Sequence, residues 1–451
     1  MNKLRLSSFG MRGQIGSSLT PAAVMDFSNA FGSHLDGGRV LLGRDTRGSS
    51  PMLHSAVLSS LISAGCEILD MGICPTPVLQ FCVPMLQADG AISISGGHND
   101  MGWNALTLID GAGALLEPIG GEAVLDLYHA GDFQRNDWEH LGRVQHEDGY
   151  FDAYLDALDK HIDAEAVRKA GFTVIVDPLG GAGCAYIAPF AKRLNLNMIP
   201  INAKPSAYLP REAEPRPRSA LQMADMIGYL QGDIGFLHSS DMGRMSIVTE
   251  AGEPASEEYT FALIADHVLS RSKGTLVTNC CTTRTIDDIA QRHNVPVVKT
   301  PVGQAYVVSA LADEQGVLGG EGSGSAVLPA FSPAFDGFMM MALILEAMAV
   351  ERKTASALLS DLPRYHIVKK SRVLNSSACY QAVEMLTEAF RAAGQEQMDL
   401  TDGIRVDRDD GWVHVRPSRT EQIVRVISEA VDRETAENRA RDVIRVIEQG
   451  I

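Results

Sequence analysis

Residues 38–71 read GRVLLGRDTRGSSPMLHSAVLSSLISAGCEILDM, and the pattern of this stretch decides the fold. Gly38–Leu42 is a short apolar, β-rich run, Met52–Ala64 has the spacing of an amphipathic helix, and Glu67–Met71 is a second β-rich run. With Ala91–Ser95 added, strand and helix alternate, which argues for βαβ units and a largely parallel sheet. The pattern returns at Thr173–Asp177, a helix from about Ala185 to Leu194, and Asn197–Pro200. It returns again at Thr275–Asn279, a helix over Thr285–His293, and Pro296–Lys299. The last section is different: a helix at about Cys379–Ala393, two strands around Gly403–Arg416, a third at Ile423–Ser428, and a closing helix over Glu434–Gln449. That is an α+β pattern with helices on an antiparallel sheet. Polar or turn-rich seams fall at Asp132–Gly149, Ala251-Gly252-Glu253-Pro254 and Leu362-Pro363-Arg364. The expectation is three related α/β domains over 1–145, 146–252 and 253–363, followed by an α+β domain over 364–451.

A chain of 451 residues is too long for one core, in keeping with that division. The 45% hydrophobic and 21% charged fractions are those of an ordinary soluble protein. The net charge of −17 argues against a nucleic-acid or anionic-membrane surface, which needs clustered Lys and Arg. The seven cysteines are scattered and form no CxxC pair. Cys280 and Cys281 are adjacent, poor geometry for a mutual disulfide or for zinc. Reduced thiols and a cytoplasmic location are expected, since the start has no signal-peptide pattern and no apolar run could span a bilayer.

Four segments carry chemistry. Arg416-Pro417-Ser418-Arg419-Thr420-Glu421 sits between two strands, where the Arg416 fork, the Ser418 and Thr420 hydroxyls and turn N–H groups could cradle a phosphate. The bland alternative is a solvated hairpin. Gly43-Arg44-Asp45-Thr46-Arg47-Gly48-Ser49-Ser50-Pro51 follows a strand and opens a helix, so Arg44 and Arg47 could meet an anion, or a serine could simply cap the helix. Gly319-Gly320-Glu321-Gly322-Ser323-Gly324-Ser325 offers Glu321 and Ser323 to sugar hydroxyls, although most glycine loops are only turns. Val176-Asp177-Pro178-Leu179-Gly180-Gly181-Ala182-Gly183 has the form of a strand-to-helix turn.

The order of these segments resembles the α-D-phosphohexomutase superfamily, which contains phosphomannomutases, phosphoglucomutases and phosphoglucosamine mutases. Further markers are Phe9-Gly10-Met11-Arg12-Gly13, Pro75-Thr76-Pro77, Gly90–Asn99, Asp233-Ile234-Gly235 and Asp336-Gly337, so the resemblance runs through essentially the whole chain. It implies the same four-domain fold around a central cleft. It also implies a phosphorylated small molecule, a sugar phosphate, as partner, met by Arg12, Arg44, Arg47, Arg244, Glu321, Ser323, Arg416, Ser418, Arg419 and Thr420. Monomers and dimers are both common in the family.

In the family a phosphoserine donates its phosphoryl group to the sugar and takes back the other, beside a Mg²⁺ held by three aspartates. This chain departs at each part. The nucleophile loop, usually Thr-Ala-Ser-His-Asn-Pro, is Ser95-Gly96-Gly97-His98-Asn99-Asp100, with Gly97 at the serine position. The motif Asn-Gly-x-Lys is Asn104-Ala105-Leu106-Thr107, without the lysine. The metal loop, usually Asp-Gly-Asp-x-Asp-Arg, is Ser239-Ser240-Asp241-Met242-Gly243-Arg244, keeping only Asp241 and Arg244. One carboxylate beside Ser239 and Gly243 is a poor site for a hard cation, so no cofactor and no metal are expected. Arg419 replaces the usual glycine of the phosphate turn and adds positive charge.

Three functions follow from this mixture. The first expectation is a phosphosugar-binding enzyme without phosphoryl transfer, doing metal-poor chemistry through His98, Asp100 or Asp241, with Glu321 a further candidate. The second is a non-catalytic sugar-phosphate-binding pseudoenzyme or partner subunit. The third, ranked last, is a true phosphohexomutase with a substitute nucleophile.

Overall fold

The computed structural model describes residues 4–395, 398–418 and 422–450. It divides into two compact units, one built from 1–268 with 323–359 and the other from 269–322 with 360–451.

The first unit contains a seven-stranded mixed sheet. Its strands run in the spatial order Arg5–Ser7, Gly10–Gln14, Trp103–Asp110, Gly90–Ile94, Arg39–Arg44, Glu67–Ile73 and Arg143–His146. The central Arg39–Arg44 strand pairs in parallel with Glu67–Ile73 and Gly90–Ile94, as the alternation predicts. Every residue of Gly90–Ile94 is buried, which fits a strand covered on both faces. Helices Pro21–His34 and Ser50–Ser63 flank the sheet, and the first is capped by the Thr20 hydroxyl and opened by Pro21. Phe27, Phe31, Val40, Leu42, Leu53, Val57 and Ile92 lie at the centre of its core.

The same unit holds a second sheet in the order Met245–Thr249, Ile234–His238, Thr173–Asp177 and Asn197–Pro200. Thr173–Asp177 runs parallel to both of its neighbours. The helix expected from about Ala185 is a short 3₁₀ turn, Ala182–Ala185, followed by a helix over Ile187–Arg193. Helix Gly337–Glu351 is apolar apart from Glu346 and Glu351 and buried over most of its length, with Glu346 paired to His267 at 2.9 Å. Asp336 caps it, accepting hydrogen bonds from the N–H groups of Phe338 and Met339. Among the described residues, no helix is long and apolar enough to cross a membrane.

In the second unit, Leu276–Asn279 pairs in parallel with Val297–Thr300 and Leu318–Glu321. Its C-terminal part is an antiparallel sheet in the order His366–Val373, Ile423–Ala430, Gly411–Pro417 and Ile404–Arg408, with helices Ser376–Ala392 and Arg433–Gly450. The sheet therefore has one strand more than expected. His366–Val373 is an edge strand, largely exposed and carrying Lys369, Lys370 and Arg372. Such strands lack an alternating apolar face, and edge lysines discourage sheets from pairing with other chains.

Candidate active site

In the first unit the loop 95–100 and the loop 239–244 meet. The Ser240 hydroxyl donates to the Gly97 carbonyl at 2.9 Å and lies 3.3 Å from Oδ2 of Asp45. Asp45 is buried and also accepts from the Ser95 hydroxyl at 2.9 Å and the Gly96 N–H at 3.1 Å. It is thus the hub that ties the two loops together. Gly97 has φ of +52°, a left-handed conformation that glycine adopts without strain. A Cβ placed there would lie 3.0 Å from Oδ2 of Asp241. Oδ1 of Asp241 accepts from the Ser239 hydroxyl at 2.6 Å and the Gly243 N–H at 3.1 Å, which fixes the carboxylate's orientation. Thr76 anchors the backbone of this loop, its N–H donating to the Asp241 carbonyl at 3.1 Å. Of the expected catalytic residues, Asp241 faces Gly97, His98 is half-buried, and Asp100 is exposed with its carbonyl turned inward to Arg47.

Arg47 requires a correction. It was expected to contact substrate, but it is only 1% exposed and its donors are committed within the protein. Its guanidinium donates to the carbonyls of Gly97 (3.1 Å), Asn99 (2.6 Å), Asp100 (2.7 Å) and Trp103 (3.1 Å), and it pairs with Asp45 at 3.2 Å. Burial lowers its pKa, opposed by the charges of Asp45, Asp241 and Asp100. Arg47 is therefore a clamp on loop 95–103. Arg44, half-buried, donates to the Asp45 carbonyl at 3.2 Å. Arg12 lies half-buried on strand Gly10–Gln14, in register with Ala105. Arg244 is drawn to Glu214 at 2.9 Å. Ser323 sits 3.4 Å from the Ser325 hydroxyl, which donates to the Gly243 carbonyl at 3.2 Å.

A magnesium ion of the kind the resemblance implies has little to bind here. Asp241 is the one carboxylate of loop 239–244, Gly243 offers no side chain, and the Ser239 and Ser240 hydroxyls donate inward. That donor set does not fit Mg²⁺, which demands near-ideal octahedral oxygen coordination.

In the second unit, Glu321 and Arg416 are brought to one turn. Oε1 of Glu321 accepts from the Gly303 N–H at 2.7 Å, and Oδ2 of Asp402 accepts from the Val302 N–H at 3.1 Å. The same Asp402 oxygen pairs with Nε of Arg416 at 2.9 Å. The Ser418 N–H donates to the Ile423 carbonyl at 2.9 Å, extending the pairing of strands Gly411–Pro417 and Ile423–Ala430. Arg419 and Thr420 lie outside the described residues. Asp45, Glu214 and Asp402 were missed in the sequence. Asp45 stands inside the quoted Gly43–Pro51 segment, so the segment was a usable signal, whereas Glu214 and Asp402 stand in no motif.

These features define a multidomain α/β protein with phosphosugar-type loops in a fixed order, and comparison with known proteins carries the assignment further. Four family models match in sequence. The phosphoglucomutase/phosphomannomutase α/β/α domain I model covers 5–135, domain II covers 152–252, domain III covers 256–365 and the C-terminal domain covers 369–446. A phosphoglucomutase/phosphomannomutase of Thermococcus kodakarensis is 34% identical over 458 residues, 100% of each chain. A protein of Pyrococcus abyssi, described as a probable phosphoglucosamine mutase, is 32% identical over 98% of this chain and 97% of its own. The crystal structure of a phosphoglucomutase/phosphomannomutase family protein from Burkholderia thailandensis shares the fold. Its TM-score is 0.84 at 23% identity, covering 98% of this chain and 97% of that one. The chain belongs to the α-D-phosphohexomutase superfamily.

These full-length relatives overturn the expectation of a phosphosugar-binding protein without phosphoryl transfer, whether an altered enzyme or a silent binder. Proteins that align with this chain end to end are named as mutases.

Proposed function

We propose that the protein is a phosphohexomutase, moving a phosphoryl group between two hydroxyls of one hexose phosphate. The observation that carries this reading is the 34% identity to a phosphoglucomutase/phosphomannomutase over the whole of both chains. On this reading the loop at 97 has passed the role of carrier to loop 239–244, which has also lost the usual metal-binding carboxylates at Ser239 and Gly243. The carrier is Asp241, whose Oδ2 stands 3.0 Å from where a side chain at position 97 would begin. A carboxylate can accept a phosphoryl group as an acyl phosphate. Starting from that acyl phosphate, which glucose 1,6-bisphosphate can supply, a bond forms from the free hydroxyl of the hexose phosphate to phosphorus while the bond from phosphorus to Oδ2 breaks, and the hydroxyl's proton passes to His98. The reverse step, at the other hydroxyl of the same sugar, returns the group and the proton.

The remaining polar groups supply recognition. Arg416, Ser418, Arg419 and Thr420 hold the phosphate that does not react. Glu321 and Ser323 meet sugar hydroxyls, and Arg12, Arg44 and Arg244 add positive charge in a chain of net charge −17. The domains divide at 145, 252 and 363, the protein works in the cytoplasm, and it acts as a monomer or dimer.

The test is turnover of hexose 1-phosphate in the presence of glucose 1,6-bisphosphate, followed by phosphorus NMR. Appearance of the 6-phosphate supports the reading, and none above a heat-inactivated control opposes it. The carrier is tested separately, by intact mass for an adduct of ~80 Da, the mass of one phosphoryl group. Lability of that adduct to hydroxylamine is the mark of an acyl phosphate.

A further inference from the structure

Cys280 and Cys281 follow strand Leu276–Asn279, and His414 lies 133 residues further along, on strand Gly411–Pro417. The fold of the second unit places the three side chains together, with one donor atom from each within 4.8 Å of the others. Sγ of Cys281 is 3.0 Å from Nδ1 of His414, and Sγ of Cys280 is 3.8 Å from Nε2 of the same ring. Cys280 and His414 are buried, and Cys281 is half-buried.

The imidazole is already set in the tautomer a metal needs. Nε2 of His414 lies 2.6 Å from the Asp402 carbonyl oxygen. A carbonyl cannot donate, so Nε2 carries the hydrogen and Nδ1 presents its lone pair to the Cys281 sulfur. Metal-binding histidines characteristically give their second N–H to a carbonyl or carboxylate in this way. The backbone of the cysteine pair is held too, because Arg405 donates to the Cys280 carbonyl at 2.6 Å while its guanidinium stacks on Trp412 at 4.4 Å. The bare sequence argues against metal at two adjacent cysteines, and it is His414 that changes the chemistry by supplying a third, nitrogen donor.

We infer that Cys280, Cys281 and His414 form a binding site for a thiophilic d¹⁰ cation, Zn²⁺ or Cu⁺. Two thiolates and an imidazole are a borderline-soft donor set, matched to these ions and unsuited to Mg²⁺ or Ca²⁺. Binding releases the thiol protons to water and forms two metal–sulfur bonds and one metal–nitrogen bond. The inference is independent of the proposed reaction, since it concerns a different set of residues.

The test is titration of the reduced, chelator-treated, full-length protein with Co²⁺ under anaerobic conditions, using Co²⁺ as a visible stand-in for Zn²⁺. The expected result is thiolate-to-cobalt charge-transfer absorption that saturates at one equivalent, disappears on adding Zn²⁺, and is lost in Cys281→Ser and weakened in His414→Gln. As a check that does not depend on variants, Zn²⁺ should slow iodoacetamide labelling of Cys280 and Cys281 in the unmodified protein at least tenfold, read by peptide mass spectrometry. No charge-transfer band in protein whose thiols are verified as reduced would overturn the inference. So would a band unchanged in Cys281→Ser, labelling indifferent to Zn²⁺, or a Cys280–Cys281 disulfide that persists after reduction.

Discussion

A Cβ at Gly97 would sit 3.0 Å from Oδ2 of Asp241. The two residues are 144 positions apart in the chain, and the bond from Ser240 to the Gly97 carbonyl holds their loops together. The carboxylate therefore occupies the ground that a side chain at 97 would otherwise reach.

Asp241→Asn should leave the fold nearly unchanged and remove transfer. The carbonyl oxygen of the substituted amide can still accept from Ser239 and Gly243, as Oδ1 of Asp241 does. An amide cannot carry the phosphoryl group. Mutase turnover should fall by about a thousandfold or more, the scale of losing a nucleophile, with the unfolding midpoint close to that of the parent. An adduct of unchanged mass in this variant would place the carrier elsewhere.

Gly97→Ser should harm both stability and rate. A side chain at φ +52° costs about 1–2 kcal/mol, and the new Cβ crowds the Asp241 carboxylate. Activity should drop about tenfold or more, equivalent to about 1.4 kcal/mol of barrier. A rise in activity, with an adduct that resists hydroxylamine, would mean that a serine is still the better carrier in this scaffold.

Arg47→Met should be among the most destabilising single changes in the chain. It strips donors from the carbonyls of Gly97, Asn99, Asp100 and Trp103 and leaves the buried Asp45 carboxylate without its cation. Breaking a buried pair by removing one partner costs about 3–5 kcal/mol. Arg47→Lys should recover only part of this, because an ammonium cannot span the same carbonyls. Urea unfolding of the three proteins measures the difference.

Much of this was legible in the sequence, and what was missed has identifiable causes. The strand and helix alternation of residues 38–71 specified the parallel core because short continuous apolar runs mark strands covered on both faces, and the helical spacing between them marks the crossover. The strand His366–Val373 was missed because an exposed, basic edge has no such face. Arg47 was misread because an arginine beside a helix N-terminus looks the same whether it turns to a ligand or inward to four carbonyls. Pairings such as Asp402 with Arg416, or Cys281 with His414, depend on long-range packing that no local spacing encodes.

Stability against pH should show two opposing buried groups. Burial pushes the Asp336 carboxyl up to about 6, so the folded state binds a proton more readily there than the unfolded chain. Its contribution is full below an unfolded pKa near 4 and is lost as pH rises through about 6. Burial, aided by the charge of Arg211, pushes the His238 imidazole down to about 3. Its contribution is full above an unfolded pKa near 6.5 and is lost as pH falls toward about 3. Each effect is worth roughly 1.4 kcal/mol per pH unit within its window. Between about 4 and 6 the two partly cancel. His238→Gln should expose a fall in stability with rising pH, and Asp336→Asn should steepen the fall on acidification. Thermal midpoints from pH 4 to 7 read both, and a profile identical in all three proteins would contradict the assignment.

Arg416→Ala should weaken sugar-phosphate binding by about 1.5–3 kcal/mol, the usual worth of a charge-assisted hydrogen bond. The rise should appear mainly in KM if Arg416 grips the phosphate that stays in place. Calorimetric titration with glucose 6-phosphate checks it, and an unchanged affinity would remove Arg416 from the binding set.

The most direct test of the central claim is phosphorus NMR of the purified protein with glucose 1-phosphate and a trace of glucose 1,6-bisphosphate. The account requires a growing 6-phosphate signal, abolished by Asp241→Asn. A spectrum that stays at glucose 1-phosphate, repeated with the mannose and glucosamine 1-phosphates, would contradict it.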